Sequence, residues 1–475
     1  MAEFHREEFL FLPEVTHKTA IIAWGAFYFK IKGKVGDEEF KLVDDGDLDN
    51  VHPPRHQTIG RRSEPYGSAV VEVRDGSGAL AAREVTATAN HVLIRNLLPD
   101  TEYTYRVVVN GEGWGEDELR DWDELPGGEL GLRKSGRRYD NRFRTHPHPT
   151  HSAQLTFAVL GDFGTGVRRP SKPGSRQREV AEALERAVAD FGVRLVLTTG
   201  DNIYASKKLF GKIAVGGQGD EDDDWYFTFY QPYRYVVNRV PFYPSVGNHD
   251  SGESEFENDD RTQLMDNFYL EERLAAEVPA NRASIGPGLF YRFLYGSDIE
   301  FICLDTSKAS LISGHRFFQA PEHAAFLEEA FRAPEEDEDV PAWRIPFGHH
   351  PPYTAGPSHA NSKSVIKHLL PLFRRAGVQV TLWGHEHNFQ LAVNDGIHHI
   401  VTGGGGKVAD KQPEHFAEAF TVAWATAGHF LLVDVDRNRM KVRPIGELSG
   451  AGLADIRLQT PGGDPVSTPI TVTRG

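Results

Sequence analysis

"LTFAVLGDFG" (155–164), "SRQREVAEALERAVADFG" (175–192) and "VRLVLTTGDNIY" (193–204), read as one stretch, decide the fold. The first piece is apolar from Leu155 to Leu160 apart from Thr156 and stops at a Gly-Asp turn, which is the pattern of a strand. The second places Val180, Leu184, Ala187, Val188 and Phe191 at the spacing of one helix face. The third returns to an apolar run and stops at a second Gly-Asp turn. Strand, helix, strand at this spacing predicts a βαβ unit, and hence an α/β domain with parallel strands and flanking helices.

Further strands are expected at "IEFICLD" (299–305), "RIPFGHH" (344–350), "VQVTLWGH" (378–385) and "HHIVTGGG" (398–405), with a helix at "SVIKHLLPLFRRAG" (364–377). Polar groups collect at five strand ends: "GDFG" at 161, "GDNIY" at 200, "GNHD" at 247, "GHH" at 348 and "GHEH" at 384. Loops at the carboxyl ends of strands gather on one edge of an open α/β sheet, where ligands bind. A leading glycine in each motif lets the chain turn sharply and lets several backbones crowd one place. The donors are then Asp162, Asp201, Tyr204, Asn248, His349, His385 and His387. An oxygen and nitrogen set without thiolate suits two hard or borderline ions such as iron, zinc or manganese, with Asp201 expected to bridge them. In an extended chain His385 and His387 face one way and Glu386 the other. A single Gly-Asp turn, or one H-x-H pair, is more often an ordinary turn or a surface pair. Five in this order, each ending an apolar strand, are not explained that way.

These five motifs resemble the calcineurin-like metallophosphoesterases, and their finer pattern is similar to the purple acid phosphatases, including the tartrate-resistant type. The broad superfamily has Asp-x-His first; here position 164 is Gly, and Tyr204 follows Asp201 by three residues, which is the purple-phosphatase variation. The likeness covers about 153–445. It implies a metallophosphoesterase β-sandwich with flanking helices. It places Asp162, Tyr204 and His387 on an iron(III)-type ion, and Asn248, His349 and His385 on a second ion, Fe(II), Zn or Mn, with Asp201 bridging. His249 matches the imidazole that contacts phosphate and leaving group. His359, in "YTAGPSHANS" (353–362), is the candidate second catalytic histidine, its alternative being a solvated loop residue. His350 is given an outer-shell or structural role, and His398 and His399 structural ones. The activity implied is hydrolysis of phosphate monoesters by hydroxide formed at the metals. A phosphodiesterase or nucleotide hydrolase on the same ligands is the alternative enzyme. A binding protein with a vestigial site is the alternative of another class, and retention of every donor counts against it.

The first 150 residues read as all-β, from "KTAIIAWGAFYFKIKG" (18–33), "SAVVEVRD" (68–75) and "HVLIRNLLPDTEYTYRVVVNG" (91–111). The last resembles the fibronectin type III signature, with Tyr103 in the tyrosine-corner position and Trp24 in the core. Such a module also precedes the catalytic domain in plant-type purple acid phosphatases. Residues 36–64 and 110–138 are expected to be long loops, and "RTHPHPTHS" (144–152) a linker with solvated histidines. The expected division is 1–150, 151–446 and a tail at 447–475. Trp225, Tyr226 and Phe227 fit a core better than a pocket wall. The acidic runs 220–224 and 335–339 lack the spacing of calcium loops and read as solvated.

At 475 residues two domains are the starting expectation. A formal charge of −16 argues against a nucleic-acid partner. No window of eighteen apolar residues indicates a membrane span. The expected partner is a small-molecule phosphate ester, with the oligomeric state left open. Cys303, the only cysteine, sits in a core-like strand and allows no internal disulfide. With no secretory pattern in "MAEFHREEFLFLPEV" (1–15), a cytoplasmic location is expected, or a secreted one if a signal was removed.

Overall fold

The computed structural model describes residues 4–32, 39–42, 59–124, 130–166, 176–204, 208–209, 212–213, 225–250, 262–275, 289–309, 314–335, 340–449 and 452–474. The acidic run 220–224 and most of 335–339 lie outside them. No described helix is long and apolar enough to cross a membrane. The chain divides into two compact units: residues 1–146 with 220–241 and 262–273, and the remainder.

Among its described residues the first unit holds a two-stranded hairpin and two larger antiparallel sheets. One contains Phe4–Val15, Ala20–Lys32, Glu39–Leu42 and His91–Ile94; the other contains Leu80–Thr86, Ala69–Asp75, Glu102–Val109, Arg142–Arg144 and Glu112–Gly113. Strand period shows directly in Glu102–Val109, where Tyr103, Tyr105, Val107 and Val109 are buried and the residues between them are not. They join Leu10, Trp24, Val71 and Val73 in one core. The Tyr103 hydroxyl accepts a hydrogen bond from the Leu98 N–H at 2.9 Å, tying the strand to the turn before it.

Two stretches expected as loops contribute strands. Glu39–Leu42 extends the first sheet, and Arg120–Glu124 pairs with Leu130–Lys134 as a hairpin. His146 is not solvated; it is buried, and its N–H reaches the Thr16 carbonyl. Trp225, Tyr226 and Phe227 belong to this unit's interior, where a π-helical turn, Tyr226–Tyr230, packs its rings on Phe9 and Phe27. Tyr226 and Arg234 both bond the buried Glu7 carboxylate, so an insertion from the middle of the sequence is fastened to the first strand.

Among the described residues, the two large sheets of the second unit pack as a sandwich. In the first, Phe242–Pro244, Val196–Thr198 and Leu155–Leu160 run parallel, and Phe430–Val435 and Arg439–Ser449 continue antiparallel. Helix Gln177–Phe191 joins two of these strands, so the βαβ unit forms as expected. It buries Val180, Leu184, Ala187 and Val188; Phe191, expected on the same face, is 43% exposed because the helix ends there at left-handed Gly192. The second sheet has Ile299–Cys303, Trp343–Phe347, Val380–Trp383 and Ile397–Thr402 in parallel at its centre. Phe157 and Phe301 meet edge to face at 5.1 Å, and Tyr243 stacks on Phe293 at 4.1 Å, locking sheet to sheet. Cys303 is fully buried in this core.

The helix expected at 364–377 is two helices, Lys363–His368 and Leu370–Arg375, because Pro371 has no N–H to continue the first. Residues 447–475 are not a tail. Gly452–Asp455 and Ile470–Thr473 pair with Arg439–Ser449, and Leu458–Gln459 joins the other sheet at Trp424. The Gly-led turns that follow the parallel strands pack against one another, Gly200 beside His349, Gly247 beside Asp201 and Gly384 beside Asp162.

Candidate metal centre

Asp162, Asp201 and His385 all have left-handed backbones, with φ of +55°, +51° and +71°. Non-glycine residues avoid this region, and three in one cluster mark strain held by the surrounding structure. Glycine is needed beside them for room as well as for turning. A Cβ on Gly247 would fall 2.1 Å from Asp201 Oδ1, and one on Gly384 would fall 2.5 Å from Asp162 Oδ2.

Two donor sets result. In one, Tyr204 Oη lies 3.4 Å from Asp162 Oδ1 and 3.3 Å from His387 Nε2, and His387 Nε2 lies 3.5 Å from Asp162 Oδ1. In the other, His349 Nε2 lies 2.9 Å from Asn248 Oδ1 and 3.2 Å from His385 Nδ1. Asp201 touches both: its Oδ1 is 3.4 Å from His349 Nε2, and it groups with Asp162 and His387, their donor atoms all within 4.8 Å. All seven residues singled out in the sequence are therefore brought together.

Surrounding groups fix the orientations. The Thr199 carbonyl accepts from His349 Nδ1 at 2.8 Å, so Nδ1 carries the proton and Nε2 keeps its lone pair for a metal. The His385 N–H donates to both Asp162 oxygens, at 3.2 and 2.9 Å. Asp250 accepts from Gly247 N–H at 2.8 Å, Ile203 N–H at 3.1 Å and Asn202 Nδ2 at 2.9 Å, stitching the second motif to the third. Buried Glu386 accepts from the N–H groups of Ser358 and His359, at 3.2 and 2.9 Å, and holds His359 Nδ1 at 3.1 Å. The His359 ring stacks on His385 with centroids 3.7 Å apart, so it belongs to the cluster and is not a free loop residue. His249 is at the mouth, its ring 4.5 Å from that of Tyr204 and its side chain 22% exposed.

Electrostatics favour a cation here. Burial pushes the Asp162 carboxyl well above the usual carboxylate range, and the Asp201 charge adds to this against the pull of His349. Burial also opposes ionisation of Asp201, but His349 and His249 outweigh it and bring that carboxyl down to about 2. Burial and the two carboxylates raise the Tyr204 phenol well above its ordinary value. Burial lowers His249 and His387 to about 4, and it also holds His385 well below the ordinary imidazole range. Neutral imidazoles offer lone pairs, and crowded carboxylates gain most from a positive ion. His350, 2% exposed with its ring 4.0 Å from His385, has no hydrogen-bond partner on either ring nitrogen among the described residues. An orphaned buried imidazole beside two donors fits a site built for ions and their water. The residues therefore fit a pair of metals.

The sequence reading missed three participants. Asp250 stood inside "GNHD" and Glu386 inside "GHEH", and both signals were present as carboxylates between or beside ligands. Lys407, whose Nζ is 4.5 Å from the Tyr204 ring centroid, follows four glycines that gave no chemical signal. His385 and His387 do not alternate along an extended strand as expected. The strand ends at Trp383, and the left-handed turn at His385 brings the two imidazoles together. His398 and His399 are clear of the donor sets; His399 is buried with Nδ1 2.7 Å from Thr381 Oγ1.

Residues 155–389 match the family model for calcineurin-like phosphoesterases. Tartrate-resistant acid phosphatase type 5 of Oryctolagus cuniculus is 26% identical over 322 residues, covering 64% of this chain and 90% of its own. Purple acid phosphatase 3 of Arabidopsis thaliana is 24% identical over 306 residues, 61% of this chain and 73% of that protein. Among solved structures, purple acid phosphatase PPD1 from yellow lupin has a TM-score of 0.57 at 13% identity, covering 99% of this chain and 75% of that one. PhoD has a TM-score of 0.58 at 14% identity, covering 97% and 92%. Both structural likenesses bear on the fold. Residues 155–389 are a calcineurin-like phosphoesterase domain, in a chain whose relatives include purple acid phosphatases.

Proposed function

We propose that this protein hydrolyses phosphate monoesters at two metal ions, in the manner of a purple acid phosphatase. The observation that carries the reading is Asp201, whose Oδ1 lies 3.4 Å from His349 Nε2 while its carboxylate groups with Asp162 and His387. Asp162, Tyr204 and His387 would hold iron(III), and Asn248, His349 and His385 would hold Fe(II), Zn or Mn, with Asp201 shared. Bound metals supply charge neutralisation for the phosphoryl group and acidify a water into a nucleophile at neutral pH.

The chain's own residues do the rest. His249, part-exposed beside Tyr204, would contact the phosphoryl oxygens and leaving group. Glu386 accepts from His359 Nδ1 and orients the ring, so that in its doubly protonated, imidazolium form the proton on Nε2 would pass to the departing alcohol and leave a neutral ring. Thr199 and Asp250 keep the ligand loops in register, so little reorganisation accompanies reaction.

The first unit supports a fibronectin III-like reading. Three of its strands, Phe4–Val15, Ala20–Lys32 and His91–Ile94, share one sheet, while Leu80–Thr86, Ala69–Asp75, Glu102–Val109 and Arg142–Arg144 lie in order in the other. The hydrogen bond from the Leu98 N–H to the Tyr103 hydroxyl supports a tyrosine corner.

Measuring hydrolysis of an aryl phosphate against the bis-aryl diester, on protein with its metal content determined, tests the proposal. Faster monoester cleavage is expected. Preference for the diester would select the phosphodiesterase reading, and no turnover of either would select the binding-protein reading.

A further inference from the structure

After strand Ile397–Thr402 the chain runs through Gly403–Gly406 into Lys407. This segment is fixed to the metal centre by its backbone. Gly405 N–H donates to the Gly161 carbonyl at 2.8 Å, Lys407 N–H to the Asp162 carbonyl at 3.1 Å, and Ala409 N–H to the His387 carbonyl at 2.8 Å. Two of those acceptors belong to metal-ligand candidates, so Lys407 cannot drift from the site without breaking bonds on both sides of it. Its side chain is partly buried and reaches over the Tyr204 ring, Nζ 4.5 Å from the centroid. Burying the stem while keeping the ammonium at a wet rim is how lysine covers an aromatic face. Its charge is felt at Asp162, His249 and His387. Among the described residues no carboxylate pairs with this ammonium. A surface lysine on a mobile loop would show neither the anchored backbone nor the placement over a ligand ring.

We propose that Lys407 is a specificity-determining residue whose ammonium takes a non-bridging oxygen of the substrate phosphoryl group and favours dianionic monoesters over monoanionic diesters. This rests on the phosphoester-hydrolase reading of the site. A phosphate monoester carries about −1.5 to −2 at pH 7, whereas a diester carries about −1. A fixed positive charge therefore attracts the monoester more strongly, and a diester also replaces one anionic oxygen with an ester group that the ammonium gains little by meeting.

The test compares wild type, Lys407→Gln and Lys407→Arg in metal-loaded full-length protein. For Lys407→Gln, kcat/KM on an aryl monoester should fall about 10–100-fold, the effect of losing one charge-assisted hydrogen bond. Turnover of the bis-aryl diester should change by less than about threefold, since its single charge engages the site chiefly through the metals. The dissociation constant for inorganic phosphate, measured by calorimetry, should rise by a factor similar to the monoester loss. Lys407→Arg should restore most of both, and metal content should stay at the wild-type value in each variant. Equal losses on monoester and diester, unchanged phosphate affinity in Lys407→Gln, or loss of metal would each overturn the assignment. Wild-type protein that binds phosphate through Lys407 yet cleaves no monoester would instead overturn the proposed function and leave Lys407 as an anion-binding residue.

Discussion

Tyr204 Oη and His387 Nε2 stand 3.3 Å apart, and each lies within 3.5 Å of Asp162 Oδ1. Three donors at such separations can be reached by one ion with bonds of about 2.0–2.2 Å. A phenolate on iron(III) absorbs visible light by charge transfer. Iron-loaded protein is expected to be violet to pink, and Tyr204→Phe colourless with its fold retained. Visible spectroscopy checks this; an iron-loaded wild type without a band would remove Tyr204 from the iron.

Asp201→Ala is expected to lose at least one ion per chain and to lose activity, because no neighbour can take the place of a shared carboxylate. Elemental analysis beside an aryl phosphate assay measures both. Two ions retained with full turnover would contradict the bridging role.

His249→Ala should keep both metals and lose about 10²–10⁴-fold in kcat, the range for lost acid–base assistance. Metal loss instead would make His249 a ligand.

His359→Ala should distinguish leaving groups. A proton donor matters most when the alcohol leaves poorly, so an alkyl phosphate should lose at least about tenfold more in kcat than a nitrophenyl phosphate. Glu386→Gln, which removes the charged partner of His359 Nδ1, should show the same pattern at smaller size. Equal losses on both substrates would mean that His359 only packs against His385.

Stability should carry a pH signature from Glu14. Burial raises this carboxyl to about 7 despite the attraction of Arg273, and its Oε2 has no hydrogen-bond partner among the described residues. Between its ordinary value of 4.5 and about 7, the folded chain keeps a proton that the unfolded chain has released. Stability is therefore lost as pH rises through that window, by at most about 3 kcal/mol. Glu14→Gln has no proton to lose. Its advantage over wild type in denaturant unfolding should grow from pH 4.5 to 7 and then level off; a constant difference would show that Glu14 titrates normally.

The centre was legible in sequence because each ligand is announced locally, by an apolar run, a glycine and a donor, while parallel strands bring such ends together whatever lies between them. Asp162 and His385 are 223 residues apart yet share two hydrogen bonds. What escaped depends on tertiary placement or on short-range backbone choice. Nothing local tells that Arg234 meets Glu7, so the insertion at 220–241 could not be assigned to the first unit. The short polar strands in 447–475 acquire their structure from Arg439–Ser449 and Thr421–Ala425, and their own apolar pattern is weak. A strand running through 386 would point Glu386 away from the site, whereas one left-handed residue, His385, turns the chain there.

Anomalous diffraction from crystals of metal-loaded protein would locate the ions. Two peaks are expected to flank the Asp201 carboxylate, one beside Asp162, Tyr204 and His387 and the other beside Asn248, His349 and His385. A single peak, or peaks away from Asp201, would contradict a dinuclear centre.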